Sequence, residues 1–379
     1  MPQVSRRKFL TCSSASMAFG LLGASIPKPA AAAGKGPYDY IIVEGHRDIW
    51  EFNDRARLTR QAKTAPLKDH LLQRLLEGGL DVVIMPAGGD SVGERGGDPR
   101  LLEGSMRVLD MLLTEVEKTN GVASIIKTKG DLPTQPDRNR VKIFLDIEGG
   151  ASIQVIEPEP EFHPDRKLAL LRNFFRLGVR GMQLTHNARN MLGQGIAEGK
   201  VGTRLSEFGA EVVHEMNRLG MMIGVSHLSA AGIDHVREIT TKPIVSTHTN
   251  LQKFINTPRQ HSDEEVKAIA ATGGVVGMRY IVNQTSYELL ADEIDHIVKL
   301  VGIEHAAIGW LGHDDGHPYT GELPELPGAR QGTGVEGETM FQHWSNFIEV
   351  LSKHGYTEEE RGLIIGGNFL RVMRENLPA

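Results

Sequence analysis

The stretch LALLRNFFRLGVRGMQLTH, residues 168–186, contains in miniature the unit that decides the fold. An amphipathic helical run passes through Gly178 into a short apolar strand, and the strand closes on a histidine, His186. Glycine is favoured just past a helix end because that position often needs positive φ. The same passage recurs along the chain. LLQRLLEGGLDVVIMP crosses Gly78 and Gly79 and ends near Pro86, and VVHEMNRLGMMIGVSH crosses Gly220. EEVKAIAATGGVVGMRY uses Gly273 and Gly274, and HIVKLVGIEHAAIGW uses Gly302. Ser262 and Glu265 form a capping-box pattern ahead of one of these helices.

Strands are expected at 38–43, 80–86, 141–147, 179–185, 221–226, 243–247, 274–280 and 305–310. That is the number a (β/α)8 TIM barrel needs. Most are continuous apolar runs, as in a parallel sheet covered by helices. A doubly wound open sheet would want a G-x-G-x-x-G opening a helix, and none is present. AGGDSVGERGGDPR is Gly-rich but reads as a long loop after the second strand. No Pro/Ser-rich linker divides the chain from residue 34 to 379, so a single catalytic domain is expected there. The longest irregular span, Gly312 to Gly337, follows the last strand and is expected to form a loop over the site.

The chain has 379 residues and a net charge of −6, with 6% aromatic residues. This offers no electrostatic footprint for nucleic acid or an anionic membrane. Residues 1–33 read as a twin-arginine export signal. Arg6 and Arg7 in SRRKFL precede a weakly apolar stretch through Ile26, and PKPAAAAG ends it. That stretch is too rich in Ser, Gly and Ala for a stable membrane span. Cleavage near Ala33 would leave a periplasmic or secreted bacterial protein. The twin-arginine export machinery is then a partner. The one cysteine, Cys12, lies in the signal, so the mature chain has no thiol for a disulfide, a nucleophile or a metal.

Polar residues gather where the strands end. The first strand runs into EGHRD, whose His46 and Asp48 are spaced to share one side of an extended chain. The third ends at Glu148, the fourth at His186, the fifth at His227 and the sixth at His248. The eighth leads into WLGHDDGH with His313, Asp314 and Asp315. In a barrel all these ends open on the face that carries active sites. Imidazole and carboxylate without thiolate suit Zn2+ or a similar divalent ion in hydrolysis. Three histidines, an Asp and a Glu exceed one open catalytic zinc but suffice for two ions if a carboxylate bridges. Glu148, on the strand between the two ligand groups, is the natural bridge.

The set EGHRD, LDIEGG, QLTHN, GVSHLS, PIVSTHTN, PRQHSDEE and GGNFLRVM resembles, in order over nearly all of the chain past residue 33, the membrane dipeptidase (renal dipeptidase) family of the amidohydrolase superfamily. The resemblance implies a binuclear zinc dipeptidase with two Zn2+ per chain, in which a metal-bridging hydroxide cleaves the peptide bond of a dipeptide. His46, Asp48 and Glu148 would hold one ion, and Glu148, His227 and His248 the other. His186 would contact the scissile group, Arg259 would bind the substrate carboxylate, and Asp314 would move the proton. Without a gap in the match His313 takes that last place, and Asp315 stands beside it. Trp310 and Leu311 have no counterpart in the family pattern, and Glu44 stands where an Asp is usual. A homodimer is compatible with the family.

Two other functions fit the same residues. One is a different amidohydrolase reaction, on an amide, lactone or phosphoester, although MQLTH lacks the strand-four Lys that bridges metals in many such enzymes. The other is a non-catalytic exported metal- or ligand-binding protein, which the irregular GWLGHDDGH would permit.

Overall fold

Hydrogen bonds from Gly45 N–H to Ile308 O (3.2 Å) and from His46 N–H to Gly309 O (2.6 Å) draw the first and last strands of the sheet together. The computed structural model describes residues 38–47, 67, 71–90, 101–154, 168–199, 202–280, 286–311 and 340–379. All belong to the unit Lys35–Ala379. Residues 1–33, read above as an export signal, together with Asp48, His313, Asp314, Asp315 and the 312–337 span, lie outside the described residues.

The strands are β1 (Val43–Glu44), β2 (Val82–Gly89), β3 (Ala123–Ile125), β4 (Val141–Glu148), β5 (Gly181–Gln183), β6 (Met222–Gly224), β7 (Ile244–Thr249), β8 (Val275–Arg279) and β9 (Ala306–Trp310). The helices are α1 (Leu72–Glu77), α2 (Leu101–Glu117), α3 (Ala169–Arg176), α4 (Glu207–Leu219), α5 (Ala230–Ile239), α6 (Asp263–Ala270), α7 (Tyr287–Val301), α8 (Met340–Lys353), α9 (Glu358–Gly362) and α10 (Asn368–Asn376). Eight strands run in the order β1-β2-β4-β5-β6-β7-β8-β9, every pairing parallel. This is the expected (β/α)8 barrel.

Three local expectations need correction. The segment 38–43 is not a six-residue strand, and its ladder is confined to β1. Ahead of it, side chains take the backbone groups. Ile42 N–H donates to Asp81 Oδ2 (2.8 Å), and Arg138 Nη2 donates to the carbonyls of Tyr38 and Tyr40. Secondly, β2 does not stop near Pro86 but continues through Ala87–Gly89, so the Gly-rich stretch begins as strand. Gly89 pairs with Glu148 after a bulge. At Gly89 φ is 119°, and a Cβ there would sit 2.3 Å from Glu148 O, so only glycine lets β2 press on that backbone. Thirdly, β3 was not anticipated. It pairs with β4 off the barrel path, after the same helix–glycine–strand passage at Gly121.

Two apolar layers follow from strand alternation. Val83, Met85, Ile143 and Leu145 pack outward against the helices. Val43, Val82, Ile84, Phe144, Met222, Val245, Val275 and Ala307 pack together with Phe369, Leu370, Val372, Met373 and Leu377. The GGNFLRVM motif therefore supplies a plug to the barrel interior. Asn368 fixes it by donating from Nδ2 to Ile303 O and Ala306 O, both at 2.8 Å. The Phe369 ring lies directly beneath Gly45, where a Cβ would meet Phe369 Cζ at 2.5 Å and Thr247 O at 2.7 Å. The capping box ahead of α6 is formed as expected, with Ser262 N–H donating to Glu265 Oε2 (2.8 Å). Among the described residues no helix is long and apolar enough to cross a membrane.

Phe369→Ala should lower the unfolding free energy by about 3–5 kcal/mol in a urea titration. Gly45→Ala should be destabilising alone, and less so in the Phe369→Ala background, because the ring it strikes is gone. Additive effects in that double-mutant cycle would contradict the plug's placement.

Candidate metal centre

Five strand tips converge on one carboxylate. Glu148 is the last residue of β4 and is fully buried. Its Oε1 lies 3.6 Å from His46 Nε2 past β1, 3.8 Å from His186 Nε2 past β5, 3.4 Å from His227 Nε2 past β6 and 3.7 Å from His248 Nε2 on β7. All four imidazoles are buried. The His46 and His248 rings stack at 3.9 Å, and those of His186 and His227 approach to 4.4 Å.

Tautomers follow from the outer nitrogens. His227 Nδ1 meets Asn187 Oδ1 at 3.1 Å, and His248 Nδ1 meets Thr247 Oγ1 at 3.0 Å. With Asn187 Oδ1 as acceptor the hydrogen sits on Nδ1 of His227, which leaves the inner Nε2 lone pair for a metal. Burial depresses the His227 and His248 pKa values well below the usual range, and the positive charge of Arg259 adds to this. Both rings are therefore neutral near pH 7, the ligating form.

Donors about 2.0–2.1 Å from a tetrahedral ion sit roughly 3.3 Å from one another. The separations around Glu148 are close to that, so these residues fit a metal. Two ligand groups share the carboxylate, His46–Glu148–His248 and Glu148–His186–His227. His227 Nε2 also lies 3.0 Å from His248 Nε2, so Glu148, His227 and His248 stand together as well, with His186 close to the same carboxylate. A third group, Asp292, Asp295 and His354, is more exposed, and its His354 Nδ1 already meets Asp295 Oδ2 at 3.3 Å.

Arg259 reaches inward instead of flanking a helix at the surface. Its Nη1 donates to Ser226 O (3.1 Å), and Nη2 donates to His248 O (3.2 Å) and approaches His227 Nε2 (3.1 Å). Glu44 and Arg47 form a buried bidentate pair, with Nε to Oε2 at 2.9 Å and Nη2 to Oε1 at 2.5 Å. Glu44 Oε1 also accepts from Leu311 N–H, and Arg47 Nη2 donates to Leu311 O, so the pair joins the tips of β1 and β9. The Trp310 ring stands 6.0 Å from His46 as a wall of the site.

Several residues here went unnoticed in the sequence. Asp90, where β2 ends, accepts from Ala151 N–H (2.6 Å), His186 N–H (3.4 Å) and Asn190 Nδ2 (3.0 Å), which ties the tip of β4 to that of β5. Burial raises its pKa against those bonds. Asp146, two residues before Glu148 on the inward face, accepts from Gln183 Nε2 (3.2 Å) and is pushed up to about 7 by burial. A charged residue at an alternate position of an apolar strand was its available signal. Asn187 and Thr247 stand next to His186 and His248 in the quoted motifs, and no spacing rule singles them out.

This parallel barrel carries its imidazoles and carboxylate at the C-terminal mouth, the face where barrels of this kind hold their active sites. Residues 38–377 match the model of membrane dipeptidase, peptidase family M19, and the chain belongs to that family. It is 28% identical over 278 residues to the dipeptidase verJ of Clonostachys rogersoniana, covering 72% of this chain and 65% of that one. With an uncharacterized dipeptidase of Schizosaccharomyces pombe the identity is 27%, over 63% of this chain and 54% of that one. The chain thus spans under two thirds of the length of these curated relatives. Among solved structures, an amidohydrolase from Pseudomonas aeruginosa superimposes with a TM-score of 0.68 at 21% identity, covering 89% of this chain and 96% of that one. A metallopeptidase from Rhodobacter sphaeroides, liganded with a phosphinate mimic of the dipeptide L-Ala-D-Ala, gives 0.70 at 19% identity, covering 89% and 99%. These likenesses show a shared fold.

Glu148→Gln should weaken metal retention by more than about 100-fold, beyond the 10–100-fold typical of an outer-shell partner. Metal analysis after dialysis against a chelator reads it. Unchanged metal content would contradict the shared-carboxylate role.

Proposed function

We propose that this chain is a binuclear zinc dipeptidase. The observation that carries the reading is the convergence of four imidazole Nε2 atoms on the buried Glu148 carboxylate at the mouth of the barrel. His46, Glu148, His227 and His248 would hold the ions, with Asp48, which lies outside the described residues, as a further ligand. Zinc bound here supplies a water that ionises near neutral pH and a Lewis acid for the peptide carbonyl.

The chain's own residues do the rest. Arg259, already at the mouth, pairs with the free C-terminal carboxylate of the substrate, which restricts the site to short peptides. His186, beside the Glu148 carboxylate, stabilises negative charge on the carbonyl oxygen. Asp314, also outside the described residues, accepts the proton of the attacking water and delivers it to the leaving amine. The phosphinate mimic bound by the Rhodobacter relative supports dipeptides, including those with a D-residue at the C-terminal position, as the substrate class. Export through the twin-arginine route, a mature domain from about residue 34 and a homodimer belong to the same proposal.

The test is a zinc-loaded preparation from the periplasmic fraction, N-terminally sequenced, given dipeptides, dipeptide amides, lactones and phosphotriesters. Dipeptides should be cleaved, and amidation of their C-terminus should lower kcat/KM by about 100-fold, the worth of one charge-assisted contact of roughly 3 kcal/mol. Turnover of lactones or phosphotriesters alone would point to a different hydrolase. Zinc binding without turnover of any substrate would leave only a binding protein.

A further inference from the structure

His261 and Glu265 are buried ionisable residues that the proposed chemistry does not use. Their segment lies along the exit of β7. His261 N–H donates to Asn250 O (3.0 Å), Gln252 N–H donates to His261 O (2.8 Å), and Gln260 Oε1 accepts from Asn250 N–H (3.1 Å). The His261 ring is gripped from both sides. Nδ1 meets Glu265 Oε1 at 3.4 Å, and Nε2 meets Ser246 Oγ at 2.9 Å. Glu265 is itself fixed by the cap of α6, since its Oε2 accepts from Ser262 N–H and Oγ.

Beyond Ser246 the contacts continue inward. Ser246 Oγ donates to Ser226 Oγ (3.4 Å), Ser226 Oγ meets Thr247 Oγ1 (3.2 Å), and Thr247 Oγ1 meets His248 Nδ1 (3.0 Å). All three hydroxyl residues are buried. Ser226 Oγ also accepts the His248 backbone N–H at 3.3 Å. Arg259 is held by the backbone of residues in the same array, its guanidinium donating to the main-chain carbonyls of Ser226 and His248. One imidazole outside the centre is thus linked by hydroxyls to the outer nitrogen of a ligand histidine and to the support of the cation at the mouth.

We propose that His261 is a positioning residue that, held by Glu265, orders the Ser246–Ser226–Thr247 hydroxyls and through them sets the His248 imidazole and the Arg259 guanidinium. It touches neither metal nor substrate. Its effect on zinc retention is independent of the substrate, whereas its effect on carboxylate binding rests on the dipeptidase reading. The arrangement works because a buried hydroxyl has few acceptors, so fixing one end of the chain fixes the rest.

Three variants of the full chain separate this from a capping role. His261→Gln presents a polar group near the Nε2 position for Ser246 and gives up Glu265. His261→Asn keeps the Nδ1 side and gives up Ser246. Ser246→Ala cuts the chain without touching α6. Zinc affinity is read by competition with a chromophoric chelator, which needs no turnover. His261→Asn and Ser246→Ala should each weaken zinc binding about tenfold, the lower end for an outer-shell partner, with His261→Gln within about threefold of the parent. At saturating zinc the first two should raise KM for a dipeptide several-fold with kcat nearly unchanged. The proposal is overturned if Ser246→Ala binds zinc like the parent, or if all three variants lose thermal stability equally while zinc affinity stays constant. If the parent cleaves no dipeptide, the dipeptidase reading fails while the zinc titration still decides the role of His261.

Discussion

A carboxylate with no solvent exposure, set among four imidazoles, is the constraint on which the rest of this structure turns. Burying an anion is costly unless a cation or several hydrogen bonds offset the lost hydration. Of the surrounding rings, His227 and His248 are held neutral by burial and by the charge of Arg259. Neutral imidazoles offer lone pairs and no compensating charge, so the arrangement suits divalent ions better than it suits a self-contained ion pair. That preference comes from donor chemistry and burial together.

The barrel exists, in functional terms, to hold those five residues within a few ångströms. Closure between β1 and β9 rests on two backbone bonds and on the Glu44–Arg47 pair gripping Leu311. Glu44 is therefore matched by an Arg inside the H-x-D motif itself. From below, the Phe369 ring fills the space under Gly45, and His46 is the next residue. From the side, Gly89 allows β2 to lie against the backbone of Glu148, and Asp90 binds the turn that follows it. Each support acts on a strand tip, where a small displacement would move a ligand atom out of reach.

The fold was legible because a helix–glycine–strand unit repeats, and because most strands are continuous apolar runs. The strand-end histidines and Glu148 were legible for the same reason, since a parallel barrel brings strand ends to one face. What escaped notice had a local cause. The backbone ahead of β1 is satisfied by Asp81 and Arg138, partners remote in sequence, so a buried-looking run is not a ladder. The β2 strand runs on through glycines, which as residue types argue for a loop. Which of the four imidazoles would share an ion depends on ring directions that strand spacing does not specify. Asp90, Asn187 and Thr247 act through contacts across neighbouring strands or beside a ligand, where no periodicity marks them.

Diffraction from crystals of the purified chain at the zinc absorption edge addresses the central claim most directly. The account predicts two anomalous peaks astride the Glu148 carboxylate, each about 2.0–2.1 Å from imidazole nitrogens drawn from His46, His227 and His248. A map with no metal at Glu148, or with zinc confined to the Asp292–Asp295–His354 group, would contradict it.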